Sequence, residues 1–116
     1  MSLLREAVAT LQSGGMLVYP TESVYGVGTA LSAGAAGIER VRRAKQSPPG
    51  RPFLVLAASS EIAFALWSEV PASARRLADE AWPAPLTLIG PARSGLPREL
   101  LGEGPDGEAS LAVRGP

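Results

Sequence analysis

The stretch YPTESVYGVG, residues 19–28, places a proline, several hydroxyl groups, a carboxylate and two glycines within ten positions. The apolar run in front of it, Met16–Tyr19, predicts a short buried strand, and Pro20 ends the strand's ladder because proline has no N–H to donate. Open α/β sheets bind ligands at the carboxyl ends of their strands. We therefore expect a loop that presents four polar side chains together, those of Thr21, Glu22, Ser23 and Tyr25.

The two glycines of this stretch admit more than one interpretation. Gly26 and Gly28 allow either close approach of a ligand to the backbone or positive φ angles. The competing interpretation is an ordinary turn, with Tyr25 packed on the core and Thr21 bonding local amides. The pattern Y-G-V-G lacks the third glycine of a dinucleotide fingerprint, and it is not a P-loop.

Composition narrows the chemistry that is open to the chain. Its 116 residues, 46% of them hydrophobic, suit one globular domain, residues 1–116. The chain has 11 basic and 11 acidic side chains and therefore no net charge. Its overall electrostatic field gives little attraction for nucleic acid or an anionic membrane. The lack of cysteine and histidine excludes disulfides, thiolate nucleophiles and imidazole bases. No apolar run approaches the roughly 18 residues that span a bilayer, so we expect a cytoplasmic protein without a membrane partner.

Helical and extended patterns alternate along the chain. Helices are predicted at residues 4–11, 32–45, 59–67 and 71–82. Buried strands are predicted at 16–19 and 53–57, and two further strands at 86–89 and 110–114. The Gly- and Pro-rich residues 91–109 predict a loop. This order predicts a single α/β domain, in which a twisted, mixed, open sheet carries flanking helices.

A basic cluster follows the second helix pattern. Five of the eleven basic side chains lie within residues 40–51, namely Arg40, Arg42, Arg43, Lys45 and Arg51. A lysine at a helix end and an arginine between prolines predict a phosphate site, the arginine as a planar fork and the lysine as a mobile point charge. The alternative is a solvated helix face that has no ligand.

Two further segments carry candidate side chains. In AWPAPLTLIGP, residues 81–91, Trp82 is predicted to lie in the core, and the Thr87 hydroxyl could hold a ligand oxygen if its strand faces the site. In SLAVR, residues 110–114, Arg114 is either an edge charge or an anchor for a carboxylate.

Taken in order, these segments resemble the threonylcarbamoyl-AMP synthase family, also called YrdC-like and formerly described as translation factors that bind double-stranded RNA. The family pattern is P-T-E-[ST]-x-Y-G-L-G, then K-x-R-P-x-x-[KR]-P, W-P-G-P-[LV]-T and S-[VL]-A-V-R. The matching segments cover nearly the whole chain: residues 20–28, 45–52, 82–87 and 110–114. Any single motif is weak, whereas the ordered set is specific.

The resemblance implies an enzyme that joins ATP, bicarbonate and L-threonine into threonylcarbamoyl-adenylate, for the modification of tRNA. It implies Mg²⁺ as the companion of ATP. By carry-over, Lys45 and Arg51 hold phosphate oxygens and Thr87 contacts the nucleotide. Threonine is held by Thr21, Tyr25 and Arg114, and the guanidinium of Arg114 binds both oxygens of the threonine carboxylate. Glu22 is a weaker candidate.

The chain departs from the family pattern at three points. Ser47 replaces the arginine of K-x-R, so that Arg43, one helical turn earlier, is the expected substitute, and Ala84 replaces the glycine of W-P-G-P. Relatives continue to an S-x-A-N segment that helps to enclose ATP, whereas this sequence ends at Pro116. We therefore expect a shortened paralogue or a fragment, whose unpaired sheet edge would favour a homodimer.

Two classes of function follow from these observations. The first is the adenylate-forming enzyme. An enzyme that processes carbamoyl phosphate is a further candidate of this class, because that family shares the fold. The second is a module that binds tRNA, double-stranded RNA or a nucleotide without chemistry. The arginine cluster favours RNA, while the zero net charge and the few aromatic side chains argue against it.

Overall fold

The computed structural model describes residues 2–20, 25–83 and 86–115. Four residues discussed above, Thr21, Glu22, Ser23 and Ala84, lie outside the described residues. The chain comprises two compact units, an N-terminal unit of residues 1–49 and a C-terminal unit of residues 50–116. Within the ranges given, no helix is both long and apolar enough to cross a membrane.

The N-terminal unit is a β-hairpin flanked by helices. In chain order its elements are α1 (Leu3–Gln12), β1 (Met16–Pro20), β2 (Tyr25–Thr29), a short 3-10 helix (Leu31–Ala33) and α2 (Gly34–Lys45). Strands β1 and β2 pair antiparallel, with Tyr19 opposite Gly26 and Pro20 opposite Tyr25. The prediction that a loop presents Tyr25 is therefore wrong at this residue, because Tyr25 is the first residue of β2.

The glycines of β2 make room for an aromatic ring. A Cβ atom built on Gly26 would lie 2.8 Å from the ring of Tyr19, and one on Gly28 would lie 3.2 Å from it. Neither glycine has a positive φ. The interpretation that these glycines have positive φ angles is thus wrong. In the structure, the group that lies close to their backbone is the Tyr19 side chain. Strand propensity does not predict β2, because glycine is normally depleted in strands.

Both helices of this unit end in the same hydrogen-bond pattern. At the end of α1 the Gly15 N–H bonds the Thr10 carbonyl at 2.8 Å, across Gly14 with φ 86°, which confirms the predicted stop. At the end of α2 the Ser47 N–H bonds the Arg42 carbonyl at 3.0 Å, across Gln46 with φ 54°. Glycine reaches this left-handed conformation without strain, whereas glutamine does not.

Helix α2 packs through the apolar stripe that its sequence predicts. Ile38 and Val41 are buried, and Gly37 lies against Thr29 at the end of β2. The Thr29 hydroxyl in turn donates to the Gly15 carbonyl at 2.9 Å. These contacts link α2 to the hairpin.

The C-terminal unit contains the mixed sheet. Its elements are β3 (Leu54–Leu56), α3 (Ser60–Phe64), α4 (Ala72–Ala81), β4 (Thr87–Pro91), a 3-10 helix (Arg98–Leu100), β5 (Gly102–Glu103) and β6 (Ala109–Arg114). Strand β6 pairs parallel with β3 and antiparallel with β4 and β5. The predicted α/β class with an open mixed sheet is confirmed. The two-residue β5, within the predicted loop 91–109, was not predicted.

The helix boundaries follow local signals. The Ser59 hydroxyl accepts the Ile62 N–H at 3.2 Å and caps α3, and this helix ends at Phe64 rather than at the predicted residue 67. Helix α4 begins at Ala72, directly after Pro71. A serine hydroxyl before a helix accepts a hydrogen bond from an amide that the first turn leaves unpaired, so a serine at this position helps to predict where a helix begins.

An aromatic cluster forms the core of this unit. The Trp67 indole N–H donates to the Leu111 carbonyl at 3.0 Å, and its ring lies where a Cβ of Gly90 would be. The Phe64 ring lies 5.2 Å from that of Trp67 and 5.7 Å from that of Trp82, between ring centroids. The predicted core role of Trp82 agrees with this stacking. Truncating a buried tryptophan typically costs about 3–5 kcal/mol of stability.

Strands β1 and β3 alternate between exposed and half-buried residues. In β1 the exposed fraction is 69% for Val18, and in β3 it is 43% for Leu54 and 49% for Leu56. The prediction of buried strands at residues 16–19 and 53–57 is therefore wrong, because none of these residues is buried. A short apolar run does not reveal whether one face of a strand or both are covered.

The Tyr19 contact predicts that Gly26 tolerates no side chain. We expect Gly26→Ala to lower the free energy of unfolding by about 1–3 kcal/mol, because the new methyl group meets the Tyr19 ring. Chemical denaturation measures this change. In a Tyr19→Ala background the cost of Gly26→Ala should shrink, and equal costs in the two backgrounds would show that the ring is not responsible.

Candidate functional site

The basic cluster divides into structural and exposed members. Arg42 is buried, with 6% of its surface exposed; its Nε lies 2.9 Å from Oε1 of Glu39, and one terminal nitrogen donates to the Pro48 carbonyl at 2.8 Å. Arg40 donates to the Gly14 carbonyl. Two of the five cluster members thus bind within the N-terminal unit itself, and the cluster is neither a purely solvated face nor wholly a ligand site.

The remaining cations of the cluster lie at the surface. Arg43 and Lys45 occupy the last turn of α2 and are exposed. Arg51 is exposed as well and stands before β3 in the C-terminal unit. Convergence of Lys45 and Arg51 on one phosphate stays a prediction, since the two residues belong to different units.

Tyr25 is presented outward at the start of β2. Its exposed fraction is 74%, and its partner across the hairpin is Pro20. The interpretation that packs Tyr25 on the core is therefore wrong. The predicted partners of Tyr25 at positions 21–23 lie outside the described residues, so their role stays a prediction.

Thr87 and Arg114 are brought together by the central strand of the sheet. Thr87 of β4 lies opposite Arg114 of β6, and Arg114 lies opposite Leu56 of β3. Thr87 is exposed and Arg114 is half-buried. Directly opposed residues in neighbouring strands project from the same face of a sheet, with Cβ atoms about 4.5–5.5 Å apart in an antiparallel pair.

A second row of the sheet extends this face with apolar side chains. Ile89, Ala112 and Leu54 oppose one another in the three strands. They are two residues from the first row and so share its face. We call these six residues the exposed sheet face: Leu54, Leu56, Thr87, Ile89, Ala112 and Arg114. Ile89, with 70% of its surface exposed, is its most accessible apolar side chain.

The opposite face of the same strands is the core face. Leu111 and Val113 of β6 are 1% and 0% exposed. The period of two along β6 therefore sends hydrophobic side chains to the core, while Arg114 goes to the exposed sheet face. Chemically, the exposed sheet face combines a guanidinium and a hydroxyl at one end with an apolar floor at the other. A guanidinium can fork a carboxylate, and the apolar floor can contact a methyl group or a planar ring.

Arg51 lies towards the other end of β3. It precedes Leu56, the residue paired with Arg114, by five positions. At about 3.3 Å per extended residue, these positions span up to about 16 Å along the chain. The structure thus pairs Thr87 with Arg114, whereas Arg51 precedes the first paired residue of β3, Leu54.

Sequence reasoning missed the apolar members of the exposed sheet face. Leu54 and Leu56 fall in a predicted buried strand and Ile89 in a further predicted strand, so the sequence indicates no ligand role for them. The available signal was the alternation of Ile89 with Thr87, two positions apart in β4. Their alignment with Arg114 depends on the registers of β3 and β4 with β6, which no local sequence pattern predicts.

Comparisons with known proteins place this geometry in context. The family model Sua5/YciO/YrdC, described as "Telomere recombination", matches residues 9–116. The chain is 37% identical over 114 residues to a threonylcarbamoyl-AMP synthase of Pyrococcus abyssi, covering 97% of this chain and 32% of that protein. It is 32% identical over 111 residues to a threonylcarbamoyl-AMP synthase of Halorhodospira halophila, covering 96% of this chain and 56% of the relative.

Solved structures agree with these matches. The crystal structure of P. abyssi Sua5 complexed with L-threonine superposes with a TM-score of 0.86 and 34% identity, covering 97% of this chain and 32% of that one. The crystal structure of E. coli YciO gives a TM-score of 0.78 at 29% identity, covering 98% and 53%.

The matches are long in this chain and partial in the relatives. The chain spans about a third of the Pyrococcus protein and just over half of the Halorhodospira protein. The family model nevertheless covers most of the sequence, including all the segments on which the resemblance rests. The chain belongs to the Sua5/YciO/YrdC family.

Proposed function

We propose that this chain provides the threonine- and ATP-binding surface of an L-threonylcarbamoyladenylate synthase. The observation that carries the proposal is the pairing of Thr87 with Arg114 on the exposed sheet face. Support comes from the relatives named threonylcarbamoyl-AMP synthase and from the Sua5 structure that holds L-threonine. For this chain, the synthase activity, its substrates and a role in tRNA modification are all parts of the proposal.

Arg114 is the proposed anchor for threonine. Its guanidinium offers a fixed fork of donors that matches the two oxygens of a carboxylate. Tyr25 and Thr21 are proposed as further threonine contacts. Tyr25 is exposed, which meets the minimum requirement for a ligand contact. Thr87, opposite Arg114, would contact the nucleotide, so that the two substrates meet where β4 and β6 pair.

The phosphates are the proposed ligands of Lys45 and Arg51, with Arg43 in place of the family arginine that is missing at Ser47. All three side chains are exposed. The separation of Arg51 from Arg114 along β3 suits a nucleotide that extends from the threonine end of the site towards its own phosphates. Cations at both ends neutralise the charges that the two substrates bring together.

The proposed chemistry needs neither histidine nor cysteine. The threonine amine and bicarbonate condense to a carbamate with loss of water. A carbamate oxygen then attacks the α-phosphorus of ATP, and the bond from that phosphorus to the β-phosphate bridging oxygen breaks, releasing pyrophosphate. Such a displacement depends on positioning and charge neutralisation rather than on a covalent nucleophile.

Magnesium belongs to the proposal as a companion of ATP. Within the described ranges, no three acidic side chains lie close enough together to hold a metal ion, and the chain has neither histidine nor cysteine. The described part of the chain therefore offers no cage of acidic side chains for a metal ion. Mg²⁺ in nucleotide sites commonly shares phosphate oxygens, and here it would enter with the substrate.

RNA binding without chemistry is less favoured than catalysis. Its support was the arginine cluster, of which Arg40 and Arg42 bind Gly14, Glu39 and Pro48. Fewer guanidinium groups are then available for phosphates of a nucleic acid. A salt-dependent affinity for tRNA or double-stranded RNA remains the alternative outcome of the assay below.

The assay is pyrophosphate release with ATP, Mg²⁺, bicarbonate and L-threonine. We expect release that requires all three substrates, because the attacking carbamate forms only from threonine and bicarbonate. D-threonine serves as the control, since it carries the same charges with the wrong stereochemistry. No threonine-dependent release, together with RNA binding that weakens steeply with salt, would favour the binding module instead.

Arg114→Lys should weaken threonine binding more than it weakens ATP binding. Lysine keeps the charge but cannot donate two parallel hydrogen bonds to one carboxylate. We expect the dissociation constant for L-threonine to rise about tenfold or more, as loss of a hydrogen bond between charged groups typically costs 1.5–3 kcal/mol. Calorimetric titration measures it, with Arg98→Lys as the matched control. An unchanged threonine affinity would remove Arg114 from the site.

Lys45→Ala should weaken ATP binding more than Arg76→Ala does. Both side chains are exposed cations, but only Lys45 stands at the proposed phosphate site. Lys45 is also the only lysine in the sequence, so ATP should protect a single side chain from amine acylation, read by mass spectrometry. Equal ATP affinities of the two variants and no protection of Lys45 would contradict the assignment.

A further inference from the structure

The turn that follows Lys45 contains an unfavourable backbone conformation. Gln46 adopts φ 54° and ψ 35°, the left-handed region. For residues other than glycine this conformation is unfavourable, because it brings the Cβ atom too close to the following carbonyl oxygen. Helix α1 ends in the same hydrogen-bond pattern but uses Gly14 at the corresponding position. Something in the N-terminal unit must therefore hold the α2 turn in place.

Arg42 holds this turn through both its backbone and its side chain. Its carbonyl accepts the Ser47 N–H at 3.0 Å, and its guanidinium donates to the Pro48 carbonyl at 2.8 Å. The same guanidinium donates from Nε to Glu39 Oε1 at 2.9 Å, one helical turn back. Helix and turn are thus joined by one planar group.

Burial makes these bonds effective. The side chain of Arg42 is only 7% exposed, whereas that of Glu39 is 40% exposed. Water therefore screens the guanidinium little on its own side and the carboxylate of Glu39 more. A hydrogen bond that involves a charged group is stronger than one between neutral groups, and here two such bonds oppose the conformational cost at Gln46. Since Lys45 is the last residue of α2, it lies inside the segment that Arg42 closes.

We infer that Arg42 is a positioning residue for nucleotide binding: it clamps residues 46–48 to the end of α2 and so fixes the point from which Lys45 reaches a phosphate. This inference rests on the proposed phosphate role of Lys45. Arg42 itself contacts no substrate in this scheme. Its part in the basic cluster is to hold the turn, while Lys45 supplies the charge.

The inference distinguishes arginine from its simpler replacements. Methionine fills a similar volume but donates no hydrogen bond. Lysine keeps a positive charge but lacks the rigid fork that reaches Glu39 and Pro48 at once. Glycine at position 46, by contrast, would adopt the left-handed conformation without help, so Gln46→Gly should compensate for a lost clamp.

The first measurement needs no ligand. Amide hydrogen exchange of Ser47 should be faster in Arg42→Met than in the wild-type chain, by about tenfold or more, and should return towards the wild-type rate in Arg42→Met/Gln46→Gly. Arg5→Met, an exposed change of the same kind on α1, is the matched control and should leave the Ser47 amide unaffected. Equal Ser47 protection in Arg42→Met and in the wild-type chain would overturn the clamp.

The second measurement is ATP and L-threonine affinity of the same variants by calorimetry. We expect Arg42→Met to weaken ATP binding about threefold to tenfold, the usual cost of ordering one flexible side chain on binding, with threonine affinity unchanged. The double variant should recover most of the loss. A loss for both substrates, or no recovery by Gln46→Gly, would show a general structural role instead.

Two outcomes separate this inference from the proposed function. If the wild-type chain binds no ATP while the exchange result holds, the clamp stands, and the phosphate role of Lys45 and the proposed function fail. If ATP binds and Arg42→Met alters neither exchange nor affinity, the inference fails alone. Should Arg42→Met not fold, Arg42→Lys provides the same comparison: Ser47 exchange should be faster than in the wild type and should slow again in Arg42→Lys/Gln46→Gly.

Discussion

The period-two alternation along strand β6 is the constraint on which the C-terminal unit depends. Leu111 and Val113 fill the core face, where the Trp67 indole also bonds the Leu111 carbonyl. The same alternation directs Arg114 to the exposed sheet face, next to Thr87 and Leu56. A slip of one residue in the register would exchange the two faces and bury the guanidinium. Packing of the core and placement of the candidate site are therefore one requirement.

In the N-terminal unit, helical periodicity divides a cluster that is uniform in sequence. Arg42 falls on the same stripe as Ile38 and Val41 and is buried, whereas Arg43 and Lys45 point away from that stripe and are exposed. A buried guanidinium needs polar partners, and Glu39 and Pro48 provide them. Adjacent arginines thus perform different tasks, one in holding the backbone and the others in offering charge to a ligand.

Much of the fold was predictable because its signals are local. Gly14 marks the end of α1, Ser59 caps α3, and Pro71 precedes α4, each by a preference of a single residue for its position. Strand β2 was not predictable, because its glycines argue against a strand until the Tyr19 ring is seen against them. For the site, Arg114 and Thr87 could be named as candidates, but nothing local indicated that they oppose each other or that Leu54 and Ile89 share their face.

The sequence by itself determined the chemical repertoire, the alternation of helices and strands, and the family, since composition, capping residues and ordered motifs are properties of the chain alone. Only the tertiary structure decided which arginine is buried, why Gly26 must lack a side chain, and which residues meet at Arg114. These depend on strand register and on which helix face is covered, and both are set by contacts between residues that lie far apart in the chain.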